Sequence, residues 1–173
     1  MYHIFKPKVY EKSEQLQLQL TKIALTSQSD LQDVFEIPPG ENLDDWVCYN
    51  FTEFFDQLKY LISADQCTCD RFYLGKAVLL CDSPSAQVQS ILAQIAAFIQ
   101  QLPSIDQQYA KDFNATLQKH VSQMVQIYLH LVYKHPSDLV QRSFWNFFNF
   151  FNQFQLIKKD ELVLCEEVIN ALQ

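Results

Sequence analysis

Glycine is almost missing: the 173 residues contain two, Gly40 and Gly75. Neither a G-x-G-x-x-G dinucleotide turn nor a G-x-x-x-x-G-K phosphate loop can be built from them, and a G-x-S-x-G nucleophile elbow is equally out of reach. Turn-dense all-β sandwiches are disfavoured for the same reason. No stretch approaches the ~18 uninterrupted apolar residues of a membrane-spanning helix. Met1 to Lys8 lacks the apolar core of a signal peptide, so a cytosolic or nuclear protein is expected. Positive charge is also short, with 13 basic against 20 acidic residues and a net charge of −7. Sequence-independent binding to nucleic acid or to anionic lipid is thereby disfavoured, and partners should be basic. Cysteine comes as an odd five, which in a reducing compartment reads as thiols or metal ligands rather than a disulfide framework.

What the chain does carry is helical periodicity and aromatic side chains. Leu16, Leu20, Ile23 and Ala24 place a thin apolar stripe on a helix from Glu11 to about Ser27. Ile37-Pro38-Pro39-Gly40 then breaks continuity, and Asn42 can cap a second helix running to about Ser63. Its apolar face is Val47, Phe51, Phe54, Phe55, Leu58 and Leu61, with Glu41, Asp44, Asp45, Glu53 and Asp56 concentrating negative charge around it. Residues 71–80 read as a short hairpin or irregular connection around Gly75. Ser83-Pro84 starts a helix that ends near Pro103. A longer helix begins near Gln107 and must stop by His135, because Pro136 cannot continue it. Leu139 to Phe154 is apolar around more than one face, and a last helix runs from Asp160 to Leu172. The expectation is all-α: one domain over residues 1–173, a four-helix core with peripheral helices, and residues 1–10 as a flexible arm.

Candidate chemistry is sparse. Cys67 and Cys69 on irregular backbone, with His130 and His135 at a helix end, could form a Cys2His2 zinc set. Five helical steps turn a side chain by roughly 140° net, so the two histidines converge only if His135 lies on the exit turn before Pro136. The alternative reading is unrelated thiols plus capping or surface histidines, since C-x-C is a tighter chelate than the usual C-x-x-C. Cys48 and Cys165 sit at apolar helical positions and read as buried, inert thiols. The acidic residues of the second helix read as a solvated face or as a binding surface for a basic segment.

Several segments together resemble the Mob/phocein family of kinase adaptors, from Phe5-Lys6-Pro7-Lys8 to the final helix. The densest is Pro38-Pro39-Gly40-Glu41-Asn42-Leu43-Asp44-Asp45-Trp46 followed by Phe54-Phe55-Asp56-Gln57. Cys81-Asp82-Ser83-Pro84, Tyr128-Leu129-His130 with His135, and the run from Phe154 through Ile157 to Leu162 extend it. The resemblance implies a non-enzymatic helical bundle that binds the basic N-terminal region of NDR/LATS-type kinases, as in growth-control signalling of the Hippo/NDR kind, around a structural zinc. It places the kinase-facing surface at Leu31, Val34, Glu41, Asp45, Glu53, Gln57, Tyr60 and Leu61, and the zinc ligands at Cys67, Cys69, His130 and His135. The cysteine spacing is shorter than the family's, which brings Cys81 in as a substitute ligand. Where the phosphopeptide-binding branch carries basic residues, this chain has Ser122, Gln123 and Gln126, so charge-assisted phosphate docking is expected to be absent or altered. Other readings are a phocein-like scaffold subunit of a phosphatase and kinase complex, and a small zinc hydrolase, for which no general base stands out.

Overall fold

The computed structural model describes residues 37–64, 67–103 and 108–172. Leu31, Val34, the expected arm at 1–10 and the expected helix at 11–27 lie outside the described residues. Within them the chain is all-α apart from one hairpin: α1 (Leu43–Ala64), β1 (Phe72–Leu74), β2 (Ala77–Leu79), α2 (Pro84–Gln100), α3 (Phe113–Lys134), α4 (Asp138–Gln153) and α5 (Lys159–Leu172).

Local chemistry sets the boundaries. Asn42 Oδ1 accepts the N–H groups of Asp44 and Asp45 at 2.9 and 3.3 Å, so it caps α1 as its side chain predicts. Ser83 accepts the Ala86 N–H ahead of Pro84 at the start of α2, and Ser137 does the same for α4 through Val140. The long central helix departs from expectation. It starts at Phe113 rather than near Gln107, because Gln108 to Asp112 turn outside helical geometry and Asp112 makes no side-chain cap. At the end of α4 the Leu156 N–H returns to the Phe151 carbonyl at 3.0 Å while Gln155 takes a left-handed φ of 57°, a Schellman closure with glutamine where glycine is usual. Gly75, at φ 66°, supplies the same conformation for the hairpin, in which Phe72 faces Leu79, Tyr73 faces Val78 and Leu74 faces Ala77.

Helix α3 is the hub, packing on α1, α2, α4, α5 and β1. The second seam runs between α1 and α4, where Phe54 meets Phe147, Phe150 and Phe151 at 5.7, 5.9 and 5.7 Å between ring centroids. Phe51 stands edge-on to Phe151 at 6.3 Å. Edge-to-face and tilted pairs of this kind add ~0.5–1.5 kcal/mol each beyond burial. One polar chain crosses this core. Ser143 donates to Gln57 Oε1 at 3.2 Å, so its single proton is spent and the Tyr128 hydroxyl must donate to Ser143 at 2.8 Å.

Candidate metal centre and binding surface

The C-terminal end of α1 leads into Cys67 and Cys69, and β1 follows at Phe72. Opposite them His130 sits near the end of α3, and His135 terminates it with a non-helical backbone (φ −127°, ψ 48°). That break solves the angular problem posed by a five-residue spacing: outside the helix, His135 swings back until its ring centroid is 5.4 Å from that of His130. His130 Nε2 lies 3.3 Å from Cys67 Sγ, and His135 Nε2 lies 3.4 Å from Cys69 Sγ. All four donor atoms fall within 4.8 Å of one another. A tetrahedral ion with bonds of ~2.3 Å to sulfur and ~2.0 Å to nitrogen holds neighbouring ligand atoms roughly 3.3–3.8 Å apart. Both Cys–His pairs are therefore at ligand spacing, and the longest separation must contract by about 1 Å. Cys81, the expected substitute, is not a member of this group; it is half-buried against the core instead.

His130 is held from every side. Its ring stacks on the fully buried Phe72 at 4.9 Å and 17°, and the Tyr73 backbone N–H donates to its Nδ1 at 2.9 Å. Burial, then the neighbouring His135 and Lys134, bring its pKa down to about 4, so the imidazole is neutral near pH 7, as a metal ligand must be. Burial and then Cys67 push the Cys69 thiol up, so without a metal that cysteine is protonated.

Donor types and spacing fit a Cys2His2 ion; the hydrogen bond at Nδ1 requires an adjustment. A ligating histidine ordinarily donates from its second nitrogen. Here that nitrogen accepts, which puts the ring proton on Nε2, facing Cys67. Loading through Nε2 must move that proton to Nδ1 and give up the Tyr73 bond, a local change at β1.

The expected partner surface is only partly on the outside. Glu41 is half-exposed at the turn made by Gly40, where its N–H bonds the Pro38 carbonyl at 3.1 Å. Asp45 is half-buried, and its Oδ1 accepts the Tyr109 hydroxyl; Tyr109 in turn packs on Phe113 at 4.4 Å. Tyr60 is half-buried. Glu53, Gln57 and Leu61 are 5%, 0% and 4% exposed, which takes them out of any open acidic face. The reason is the width of the buried face of α1: it encloses thirteen side chains, including the polar Asn50, Thr52, Glu53, Asp56 and Gln57. Asn50 and Thr52 are accommodated by bonding back to the Trp46 and Cys48 carbonyls at 2.9 and 3.0 Å, and Asp56 pairs with Lys59 at 2.7 Å. Apolar periodicity marks the six hydrophobic positions and is blind to polar residues buried among them.

At the three positions where a phosphate would need cations, Ser122 is buried, Gln126 is half-buried, and Gln123 is engaged with His120 Nδ1 at 2.7 Å and Gln94 Oε1 at 2.8 Å. Tyr109, Phe72 and Tyr73 were invisible as site residues in the sequence. Each acts on a group at least 57 positions away, and no local pattern encodes such a pairing.

Residues 22–165 match the model of the Mob1/phocein family. Among curated proteins, the chain is 24% identical over 203 residues to "MOB kinase activator-like 1 homolog A" of Dictyostelium discoideum, covering 97% of this chain and 93% of that protein. Homolog C of the same organism is 24% identical over 199 residues, with 97% and 92% covered. "MOB kinase activator 3C" of Homo sapiens is 38% identical over 47 residues, 26% of this chain and 22% of that protein.

Proposed function

Because the chain belongs to the Mob1/phocein family, we propose that it is an adaptor that binds a protein kinase and favours the kinase's active arrangement, with no catalysis of its own. The kinase would be of NDR/LATS type, contributing a basic N-terminal segment. What supports this is the acidic end of α1: Glu41, Asp44 and Asp45 lie within five residues, none of them fully buried, on a chain of net charge −7. Charge of one sign at an accessible helix end steers a basic segment and fixes its register. The accessible members of the kinase-facing set are Glu41, Asp45 and Tyr60.

Zinc would be held by Cys67, Cys69, His130 and His135. When bound, it would supply a closed tetrahedral tie rather than a Lewis acid with an open position. Four protein donors leave no place for a water, and that argues against a hydrolase. The tie would join the loop after α1 to the end of α3 and brace the bundle that presents the acidic turn.

The test is calorimetric. The full chain is titrated with the basic N-terminal segment of an NDR-type kinase, and then the Glu41→Lys, Asp45→Lys double variant is titrated in the same way. Tight binding by the first and a loss of tenfold or more by the second is expected; equal affinity would remove the acidic turn from the interface.

A further inference from the structure

Beside that same turn, where α1 begins, α3 begins and α4 ends, lies a cavity of ≈ 490 Å³ that neither the family resemblance nor the reading above uses. Val47, Leu117, Phe154 and Leu156 give it apolar walls, and Leu43, 47% exposed, stands at its rim. Asp44 is its one charged group, accompanied by the amides of Gln118 and Gln155. We propose that this cavity receives two side chains from one face of a basic amphipathic helix: a lysine or arginine onto the Asp44 carboxylate, and an apolar residue against Val47, Leu117 and Phe154. The helix is assigned to the kinase segment, and in that respect the proposal rests on the adaptor reading.

Charge complementarity argues for the cation. Among the described residues no Lys or Arg forms an ion pair with Asp44, and the charge acting on it is that of the like-signed Asp45. Burial and then Asp45 raise its carboxyl above the usual range, so its ionised form is held at a cost that an incoming cation relieves. Apolar walls suit the aliphatic stem of a long basic side chain, whose head stays at the carboxylate. The volume exceeds what one such stem fills, and a helix offers a second side chain three or four residues on. Gln155, whose left-handed backbone (φ 57°) glycine would adopt without strain, lines the cavity and adds an amide to its polar side. The positive end of the α1 dipole already offsets part of the Asp44 charge, so one cation should matter by about tenfold and not by thousands.

Two probes separate the outcomes. The isotope-labelled full chain is titrated with N-acetyl-arginine amide and followed by amide NMR shifts. Shifts at Asp44, Leu117, Gln118 and Leu156 that vanish in Asp44→Asn are expected, and likewise vanish in Ala115→Arg, which puts a guanidinium at an exposed rim position without disturbing the core. Absence of those shifts at saturating probe, or their persistence in both variants, overturns the proposal. The kinase segment is then titrated against wild type and Asp44→Asn, with a loss of about tenfold expected. Binding that perturbs Glu41 and leaves the cavity unshifted overturns the cavity proposal and keeps the adaptor reading. A kinase segment that fails to bind a chain whose cavity still takes the arginine probe keeps the cavity and removes the adaptor reading.

Discussion

The aromatic seam between α1 and α4 and the Cys/His corner at the far end of α1 are built on opposite principles. In the seam, Phe51, Phe54, Phe147, Phe150 and Phe151 are each no more than 1% exposed and every ring has several partners. Redundant, non-directional burial holds it. In the corner, a hairpin of two three-residue strands is secured by Phe72, by Tyr73 against His130, Tyr133 and Lys134, by one backbone bond into His130 and by four donor atoms within 4.8 Å of one another. Directional contacts add to burial in that part, where β1 packs on α3. Along α1, 22 residues separate the acidic end from the corner, roughly 33 Å at 1.5 Å per residue.

The contrast is sharpened first by Phe54→Ala, which should cost about 3–5 kcal/mol and lower the midpoint of the whole thermal transition, because the cavity it leaves is walled by other rings that cannot collapse. Next comes His130→Ala. It should cost about 2–3 kcal/mol, speed hydrogen exchange in residues 67–80, and leave far-UV helicity unchanged. Loss of helicity there would mean that the corner nucleates the bundle, against the comparison.

The bundle was legible because burial follows a 3.6-residue period: Val47, Phe51, Phe54, Phe55, Leu58 and Leu61 are all buried, as their spacing predicts. The four metal-site residues could be named from type and placement near a helix end. Their convergence could not, since it depends on the backbone angle of His135, and the retreat of Glu53 and Gln57 into the core depends on contacts with other helices. Polar burial is a tertiary property with no period of its own.

Acid should separate the two regions further. His130 has a folded pKa near 4 against an ordinary value of 6.5, so in metal-free protein the unfolded corner takes up a proton before the folded one does. Stability carried by this group is present above about pH 6.5 and is lost as the pH falls toward 4. The Tyr73 amide should exchange faster across that window while core amides of α3 remain protected; simultaneous loss of both would contradict the separation.

Smaller effects follow. Gly75→Ala meets both a φ of 66° and Val168 Cγ2 at 3.2 Å from the new Cβ, and should cost about 1–2 kcal/mol, read as faster exchange in the hairpin. Tyr109→Phe removes one donor from the Asp45 carboxylate and should cost about 1 kcal/mol in urea unfolding with an unchanged slope.

The most direct test measures the affinity of an NDR-type kinase's basic N-terminal segment for two variants side by side. The Glu41→Lys, Asp45→Lys chain should lose at least tenfold, whereas the Cys67→Ser, His130→Ala chain, altered about 30 Å away, should stay within about twofold of wild type. The reverse pattern, with the acidic turn indifferent and the Cys/His corner decisive, would contradict the account.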